Sequence, residues 1–392
     1  MMNDEINLEA ETADRSRDVF RNLSDFWIRI YFVIRHSSFV IRPAVWLLLS
    51  TCLLSTTGLV GAENPPAPST RDPVRVDEKT DAVIKGALKW LASKQSPNGA
   101  WAGTEMEQQH PIAITAYALM AFQAAGQLPN EGEYGKQVAL GMQYLIDAIS
   151  TDGLMGNKQN GQYMYGHGVA TIALAELYGQ TKSPTARVKL DKIVKTIVSS
   201  QNNEGGWRYR PIAYQADLSV TVLQVVGLRA AKNAGIDVPQ ATIDRAVAYV
   251  KACQHAPSGG FCYQPGQTPG FARTAAAIYS LQVCGLYNDP MIPPAVEYLM
   301  RNFKDSRTEW FTYGNFYAAP AMYMCGGETW QKWYKMINDA LVKKATVRGD
   351  TAFWDPNETG LEGGRMVGPI YTTSVYTMML AMPYHYIPLY QR

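Results

Sequence analysis

The sequence predicts an all-α fold, an α/α toroid in which about twelve helices form six helical hairpins. Two observations predict it: one unit of roughly 50 residues recurs along the chain, and each unit holds two helical patterns of different polarity. The first pattern is amphipathic and the second is almost wholly apolar, so the second helices are expected to be buried on all sides. Amphipathic helices outside and apolar helices inside describe a closed ring. An open solenoid needs polar terminal repeats, whereas the last repeat here is among the most aromatic.

The repeats are recognised by polar loops in which glycine precedes an aromatic or large apolar anchor residue. Four loops read QSPNGAWAG, STDGLMGN, QNNEGGWRY and HAPSGGFCY, with anchors spaced by 53, 53 and 54 residues. The anchors are Trp101, Leu154, Trp207, Phe261 and, in two degenerate copies, Trp310 and Trp354. Each loop leads into an inner helix, so six helix N-termini are expected at one end of a central cavity. Free N–H groups there favour polar or anionic ligand groups.

The chain begins with a predicted targeting segment. Residues 44–62 read AVWLLLSTCLLSTTGLVGA, an apolar run after basic residues that ends in small ones, as signal peptides do. We therefore divide the chain into an N-terminal extension with signal peptide or membrane anchor (1–62), a Pro-rich linker (63–76) and the toroid (77–392). The expected location is periplasmic or extracellular, or membrane-anchored if the segment is not cleaved.

Charge and cysteine content narrow the functional classes. Lys and Arg number 36 against 34 Asp and Glu, and this balance excludes a nucleic-acid partner. Cys253 and Cys262 flank one short loop and are compatible with either a disulfide or two buried thiols. Cys253, His255 and Cys262 lack a fourth ligand at suitable spacing, so neither a metal nor another cofactor is predicted.

The pattern Q-x3-G-x-W, present at 95–101 and 201–207, resembles the repeats of squalene cyclases and of protein prenyltransferase β subunits. The resemblance covers most of residues 80–390 and implies the toroid. It also implies one of three activities, namely polyprenyl cyclisation, prenyl transfer to cysteine, or display of a reactive thioester.

In squalene cyclases, which the repeats resemble, cyclisation uses an acidic cluster of the D-x-D-D type, because protonation of an alkene needs a very strong acid. The corresponding segment here, QADLS, retains only Asp217. Asp217 is the candidate acid, and His167, at the equivalent point of the adjacent repeat, is its candidate partner. Both residues have a structural alternative, Asp217 as a helix N-cap and His167 as a buried capping histidine.

The other two activities are excluded by motif loss. A zinc prenyltransferase resembling the family would need Asp, Cys and His ligands, but Ser219 and Arg273 stand at the Cys and His positions. A thioester domain would need C-G-E-Q, and the nearest string, CGGE from Cys325, lacks the glutamine.

Aromatic residues cluster in the loops and first turns of the inner helices. In polyprenyl cyclases such residues line the cavity, so the resemblance implies an apolar ligand here; core packing is the alternative. Arg273 is expected either to pair with Asp217 or to bind an anionic group. The predicted ligand-binding set is Tyr165, Trp207, Tyr209, Tyr263, Phe271, Arg273, Tyr313 and Tyr371.

Three functional hypotheses follow, and whether the protein is an enzyme stays open. The first is an exported protein that binds an isoprenoid or other apolar ligand in its central cavity, with terpene cyclase-like activity through Asp217 and with membrane association. The second is a non-catalytic binding or scaffold toroid. The third is a polysaccharide-active lyase or hydrolase that uses Asp355, Glu358 and Glu362 of the last loop.

Overall fold

The computed structural model describes residues 73–156, 163–364, 366–387 and 389. The predicted targeting segment lies outside these residues, as does most of the linker. No helix in the described part of the chain is long and apolar enough to cross a membrane. Val74 and Val76 of the linker pack against the core, so packed structure begins before Asp77.

The described residues form fourteen helices, two short strand pairs and a terminal 3-10 turn. The helices are α1 (Glu78–Ser93), α2 (Glu105–Gln109), α3 (Pro111–Ala124), α4 (Gly135–Asp147), α5 (Tyr163–Thr181), α6 (Pro184–Ser199), α7 (Leu218–Asn233), α8 (Gln240–Ala252), α9 (Phe271–Val283), α10 (Ile292–Asn302), α11 (Phe311–Cys325), α12 (Gly327–Lys344), α13 (Pro356–Thr359) and α14 (Pro369–Ala381). The strands are β1 (Gln254–His255), β2 (Gly260–Phe261), β3 (Thr346–Arg348) and β4 (Thr351–Phe353), and the 3-10 turn is Met382–Tyr384. Each strand pair is an antiparallel hairpin.

Six inner helices form a closed ring. The inner helices α3, α5, α7, α9, α11 and α14 each pack on the next, and α14 packs back on α3. The outer helices α1, α4, α6, α8, α10 and α12 bury one face each, as their amphipathic sequences require. The predicted toroid of six hairpins is confirmed, with α2 and α13 as short additions in the loops.

The tryptophan anchors tie together the two helices of one hairpin. The Trp207 indole N–H donates to the Ile197 carbonyl of the outer helix at 2.7 Å. Its backbone N–H donates to Oγ1 of Thr221 on the inner helix at 3.0 Å. Trp101 and Trp354 make the same two bonds in their own hairpins. Trp101, Trp207 and Trp354 are therefore fully buried structural residues.

The glutamine and glycine of the repeated motif join one hairpin to the next. Gln201 Nε2 donates to the Gly205 carbonyl at 2.8 Å and to the Thr242 carbonyl of α8 at 2.9 Å. Gly205 has φ +94°, and a Cβ at this position would overlap the Arg245 carbonyl. Only glycine therefore permits so close an approach. The same overlap applies to three equivalent glycines, Gly99 against Leu140, Gly153 against Lys192, and Gly259 against Pro294.

Two predicted anchors are wrong. In the second repeat the buried residue is Met155, two positions after Gly153, whereas Leu154 is partly exposed. In the fifth repeat Trp310 is 46% exposed. It stands at the N-cap of α11 with φ +61°, a conformation that directs it away from the hairpin core.

A buried carboxylate joins the first and last hairpins at the closing seam, where α2 meets the N-terminus of α14. Glu107 is fully buried. Its Oε1 accepts from the backbone N–H groups of Ile370 and Tyr371 at 2.9 and 3.0 Å. Its Oε2 accepts from those of Gly103 and Thr104 at 3.0 and 2.9 Å. One side chain thus satisfies helix N-terminal donors that are 263 and 264 residues away in sequence.

Candidate functional site

The N-terminal ends of the inner helices form the mouth of the ring, and aromatic side chains from three of its loops and helices meet there. The Tyr165 ring stacks on Tyr209 with centroids 5.9 Å apart, and the Tyr209 and Tyr263 hydroxyls are hydrogen-bonded. The Arg208 guanidinium lies 5.2 Å from the Tyr209 ring centroid and 5.8 Å from that of Tyr263, within cation–π distance. We call Tyr165, Arg208, Tyr209, Tyr263 and Tyr313 the mouth cluster; all five are partly exposed.

The hydroxyl groups of Tyr165, Tyr263 and Tyr313 stay neutral, because their pKa values are raised. Burial raises the pKa of Tyr313 to about 12 and that of Tyr165 well above its usual value, and the nearby Asp217 charge adds to both effects. Phe271 lies beside this cluster, in contact with Gly314 and 6.5 Å from the Phe303 ring centroid. The cluster therefore offers neutral aromatic faces and one guanidinium.

Asp217 lies beneath the mouth cluster, fully buried. Its Oδ1 accepts from the Val220 backbone N–H at 3.0 Å, which makes it the N-cap of α7. Its Oδ2 lies 3.9 Å from Arg208 Nε. Burial raises the pKa of Asp217, while the Val220 N–H bond and the Arg208 charge oppose the shift.

Arg208 takes the position that the sequence assigned to Arg273. The only ion pair of Asp217 among the described residues is with Arg208. Arg273 lies near Cys262 and Tyr298: burial raises the pKa values of both groups, and the positive charge of Arg273 opposes part of each shift. Arg208 was not predicted, although it directly follows the Trp207 anchor and so has a fixed place at the mouth.

His167 holds its inner helix to the loop of its own hairpin. It is fully buried, and Nε2 donates to the Gly153 carbonyl at 3.0 Å. Burial lowers the pKa of His167 to about 4, so the ring is neutral at neutral pH. Nδ1 has no hydrogen-bond partner among the described residues. The structure therefore does not join His167 and Asp217 in a hydrogen-bonded acid–base pair.

Aromatic side chains fill the centre of the ring. The Tyr117 ring of α3 contacts the Phe316 ring of α11 and the Tyr371 ring of α14, with centroids 5.2 and 5.0 Å apart. Tyr317 contacts Phe316 and Tyr313 in the same way. All of these except Tyr313 are less than a tenth exposed. Two members of the predicted ligand-binding set, Tyr371 and Trp207, are thus covered by packing against protein. Their part in ligand binding stays a prediction.

Two of the three carboxylates proposed for polysaccharide chemistry have structural partners, and the third, Glu358, is exposed on α13. Glu362 is buried and accepts from the backbone N–H groups of Phe311 and Thr312 at 3.2 and 3.0 Å, which caps α11. Asp355 accepts from Asn357 at the start of α13. Asp217 likewise caps α7, and Glu107 of α2 caps α14. Carboxylates of the protein therefore occupy three inner-helix N-termini. The predicted anion preference of the mouth is therefore neutralised at these three helices.

A groove lies over the closing seam, away from the mouth cluster. Its volume is about 480 Å³, and it lies between α2 and the loops around α13. Its charged lining residues are Glu105 and Asp355, beside Met106, Met366 and Pro369. No group of three or more potential metal-ligating side chains occurs in the described part of the chain.

Solved structures with similar folds carry different activities. A cellobiose 2-epimerase from Bacillus thermoamylovorans is 14% identical with a TM-score of 0.60, over 78% of this chain and 98% of its own. An inactive variant of an α-1,6-mannanase from Salegentibacter, in complex with α-1,6-mannotriose, is 9% identical with a TM-score of 0.58, over 78% and 99%. A type II terpene cyclase from Scytonema, in complex with merosterolic acid A, is 14% identical with a TM-score of 0.53, over 78% and 96%. At these identities the likeness shows the fold alone.

Family membership comes from the sequence. No curated protein matches the chain. The family model described as the prenyltransferase alpha-alpha toroid domain matches residues 71–302, more than half of the chain. With the closed ring of six hairpins described above, this match establishes that the chain belongs to the prenyltransferase alpha-alpha toroid family.

Proposed function

We propose that this protein is a ligand-binding toroid whose mouth cluster takes an apolar, isoprenoid-type ligand without chemical turnover. The observation that carries the proposal is the mouth cluster itself. Its aromatic rings stay partly exposed although inner helices surround them, whereas the rings deeper in the centre are packed on one another. Partly exposed aromatic side chains grouped with a few polar atoms are typical of binding sites for apolar ligands.

The surroundings of Asp217 support binding over catalysis. An acid that protonates an alkene needs room for the alkene beside its proton. Asp217 is fully buried, caps its own helix and faces Arg208. The centre of the ring, where a cyclising chain would fold, holds Tyr117, Phe316 and Tyr371. These contacts favour a non-catalytic binding toroid over a cyclase, while the aromatic mouth cluster favours an apolar, isoprenoid-type ligand.

The site is tested by titrating the full chain with farnesol, a short prenyl alcohol, in a calorimeter. We expect Tyr165→Ala to weaken binding about tenfold, because one buried aromatic contact contributes roughly 1.4 kcal/mol. Tyr214→Ala is the matched control, since this tyrosine is 43% exposed in the loop that follows Tyr209. Equal affinity of the Tyr165 variant and the parent protein would contradict the proposal. Binding of α-1,6-mannotriose in place of farnesol would favour a glycan ligand.

The absence of turnover is tested separately with squalene and its epoxide as substrates. We expect no cyclised product from the parent protein by mass spectrometry. Asp217→Asn is the diagnostic variant, because asparagine caps a helix as well as aspartate does and so preserves the fold. Product from the parent protein that disappears in this variant would identify Asp217 as the catalytic acid and refute the non-catalytic part of the proposal.

Export completes the proposal. The apolar run 44–62 after basic residues supports a signal segment, and an apolar ligand is consistent with association with a membrane. Cell fractionation with N-terminal sequencing of the mature protein tests this. A new N-terminus near Glu63 in a soluble exported fraction supports cleavage, an intact chain in the membrane fraction supports an anchor, and a cytoplasmic protein contradicts export.

A further inference from the structure

Two cysteines lie at the base of the β1–β2 hairpin, one just before β1 and one just after β2. The hairpin pairs Gln254 with Phe261 and His255 with Gly260, so the same register places Cys253 opposite Cys262. The Cys262 backbone N–H donates to the Cys253 carbonyl at 2.8 Å, as this register requires. Residues joined by such a backbone hydrogen bond across an antiparallel pair have Cα atoms about 5.5 Å apart. Cys253 itself ends α8 with φ −79° and ψ 0°, so the backbone hydrogen bond carries this proximity. A disulfide needs about 4.4–6.8 Å between Cα atoms.

Both side chains are thiols in this structure and are shielded from solvent. Cys253 and Cys262 are 0% and 1% exposed. The Cys262 thiol donates to the Gln267 carbonyl at 2.7 Å, and the Tyr249 hydroxyl lies against the Cys253 thiol. Burial raises the pKa of Cys253 to about 12, so the folded protein holds almost no thiolate there. Oxidation therefore belongs to the stage of folding at which the hairpin has formed but is not yet buried.

We propose that Cys253 and Cys262 form a disulfide when the chain folds in an oxidising compartment. The oxidant is an external disulfide. Its S–S bond breaks to give two thiols, while the two cysteines lose two protons and two electrons and form the new S–S bond. The bond closes a loop of ten residues and covalently fixes the hairpin that precedes Tyr263. Its role is structural: it constrains the unfolded chain and holds one wall of the mouth.

The sequence provides a direct assay. Trypsin releases residues 252–273 as one peptide, because no Lys or Arg lies between Lys251 and Arg273, and its only cysteines are Cys253 and Cys262. The full chain is refolded in a buffer of reduced and oxidised glutathione, unfolded, treated with iodoacetamide without reductant, and digested. We expect this peptide to carry no alkyl group, to be lighter than the dithiol by two hydrogen atoms, and to take two alkyl groups only after reduction. Two alkyl groups before reduction, or glutathione adducts, would overturn the proposal.

A stability measurement separates the bond from other effects of oxidant. We expect the oxidised protein to melt roughly 5 °C above the reduced protein, from the loss of loop entropy in the unfolded chain. In Cys253→Ser the oxidised and reduced samples should melt together. If that variant does not fold, the comparison of oxidised and reduced parent protein decides alone, and equal melting temperatures there contradict the stabilising role. The peptide containing Cys284 serves as an internal reference, expected to alkylate without reduction.

Discussion

Replacing Glu107 with alanine should weaken the closing seam of the ring and should destabilise the protein more than Asp217→Asn. The side chain accepts four backbone hydrogen bonds at 2.9–3.0 Å, from Gly103, Thr104, Ile370 and Tyr371. A hydrogen bond to a charged group contributes about 1.5–3 kcal/mol. Water can reach some of the freed donors, since Gly103 and Thr104 are exposed. We therefore expect the free energy of unfolding to fall by about 4–6 kcal/mol.

Equilibrium unfolding in urea measures this loss. Glu107→Gln should cost about 2–4 kcal/mol, because the carboxamide keeps one acceptor oxygen and turns an NH2 group toward two backbone donors. Glu105→Gln, an exposed change on the same short helix, should stay within about 0.5 kcal/mol. Hydrogen exchange of the Ile370 and Tyr371 amides should speed up first in the alanine variant. A loss below about 1 kcal/mol for alanine would refute the closure argument.

Three further predictions concern buried side chains elsewhere in the ring. Burial lowers the pKa of His167 from 6.5 to about 4, so stability from its neutral form is lost as pH falls from 6.5 toward 4. Burial raises the pKa of Glu176 from 4.5 to about 7, so stability from its protonated form is lost as pH rises from 4.5 toward 7. Urea unfolding across this pH range separates the two groups. Glu176→Gln keeps His167, so its free energy of unfolding should fall by about 3 kcal/mol as the pH is lowered from 6.5 to 4. His167→Gln keeps Glu176, so its free energy of unfolding should fall by about 3 kcal/mol as the pH is raised from 4.5 to 7, and two flat profiles would contradict both pKa shifts. Trp207→Phe removes the indole bond to the Ile197 carbonyl and should cost about 2 kcal/mol, whereas the exposed Trp310→Phe should change little; equal effects would contradict the anchor role.

The hairpins could be predicted from sequence because their determinants are local. The 3.6-residue apolar pattern identifies the helices, and glycine two positions before an aromatic residue identifies the loops at Trp101, Trp207 and Phe261. The errors have the same local origin. Met155 fills the second anchor position without being aromatic. The sequence pattern therefore favours the neighbouring Leu154, which directly follows Gly153. Trp310 and Trp354 both lack this glycine, so the local sequence does not separate the exposed Trp310 from the buried Trp354.

The mouth could be predicted in part. Tyr209 and Tyr263 each follow an anchor by two residues, and this fixed offset brings them together at the mouth. Arg208 follows its anchor by one residue and could not be predicted, because a charged residue after a tryptophan belongs to no recognised motif. Glu107 could not be found, since its partners at α14 are more than 260 residues away and nothing local marks them.

The joint between neighbouring hairpins has a consequence for how such rings diversify. Each motif glycine lies against a main-chain carbonyl of the next outer helix, and the residues that supply it are chemically unlike: Leu140, Lys192, Arg245 and Pro294. The atom nearest each motif glycine is a main-chain carbonyl oxygen, which every residue type supplies. This contact therefore places little constraint on which side chain the outer helix carries there. Outer helices can therefore exchange their surface residues, and whole hairpins can be duplicated or transplanted, without loss of the docking geometry.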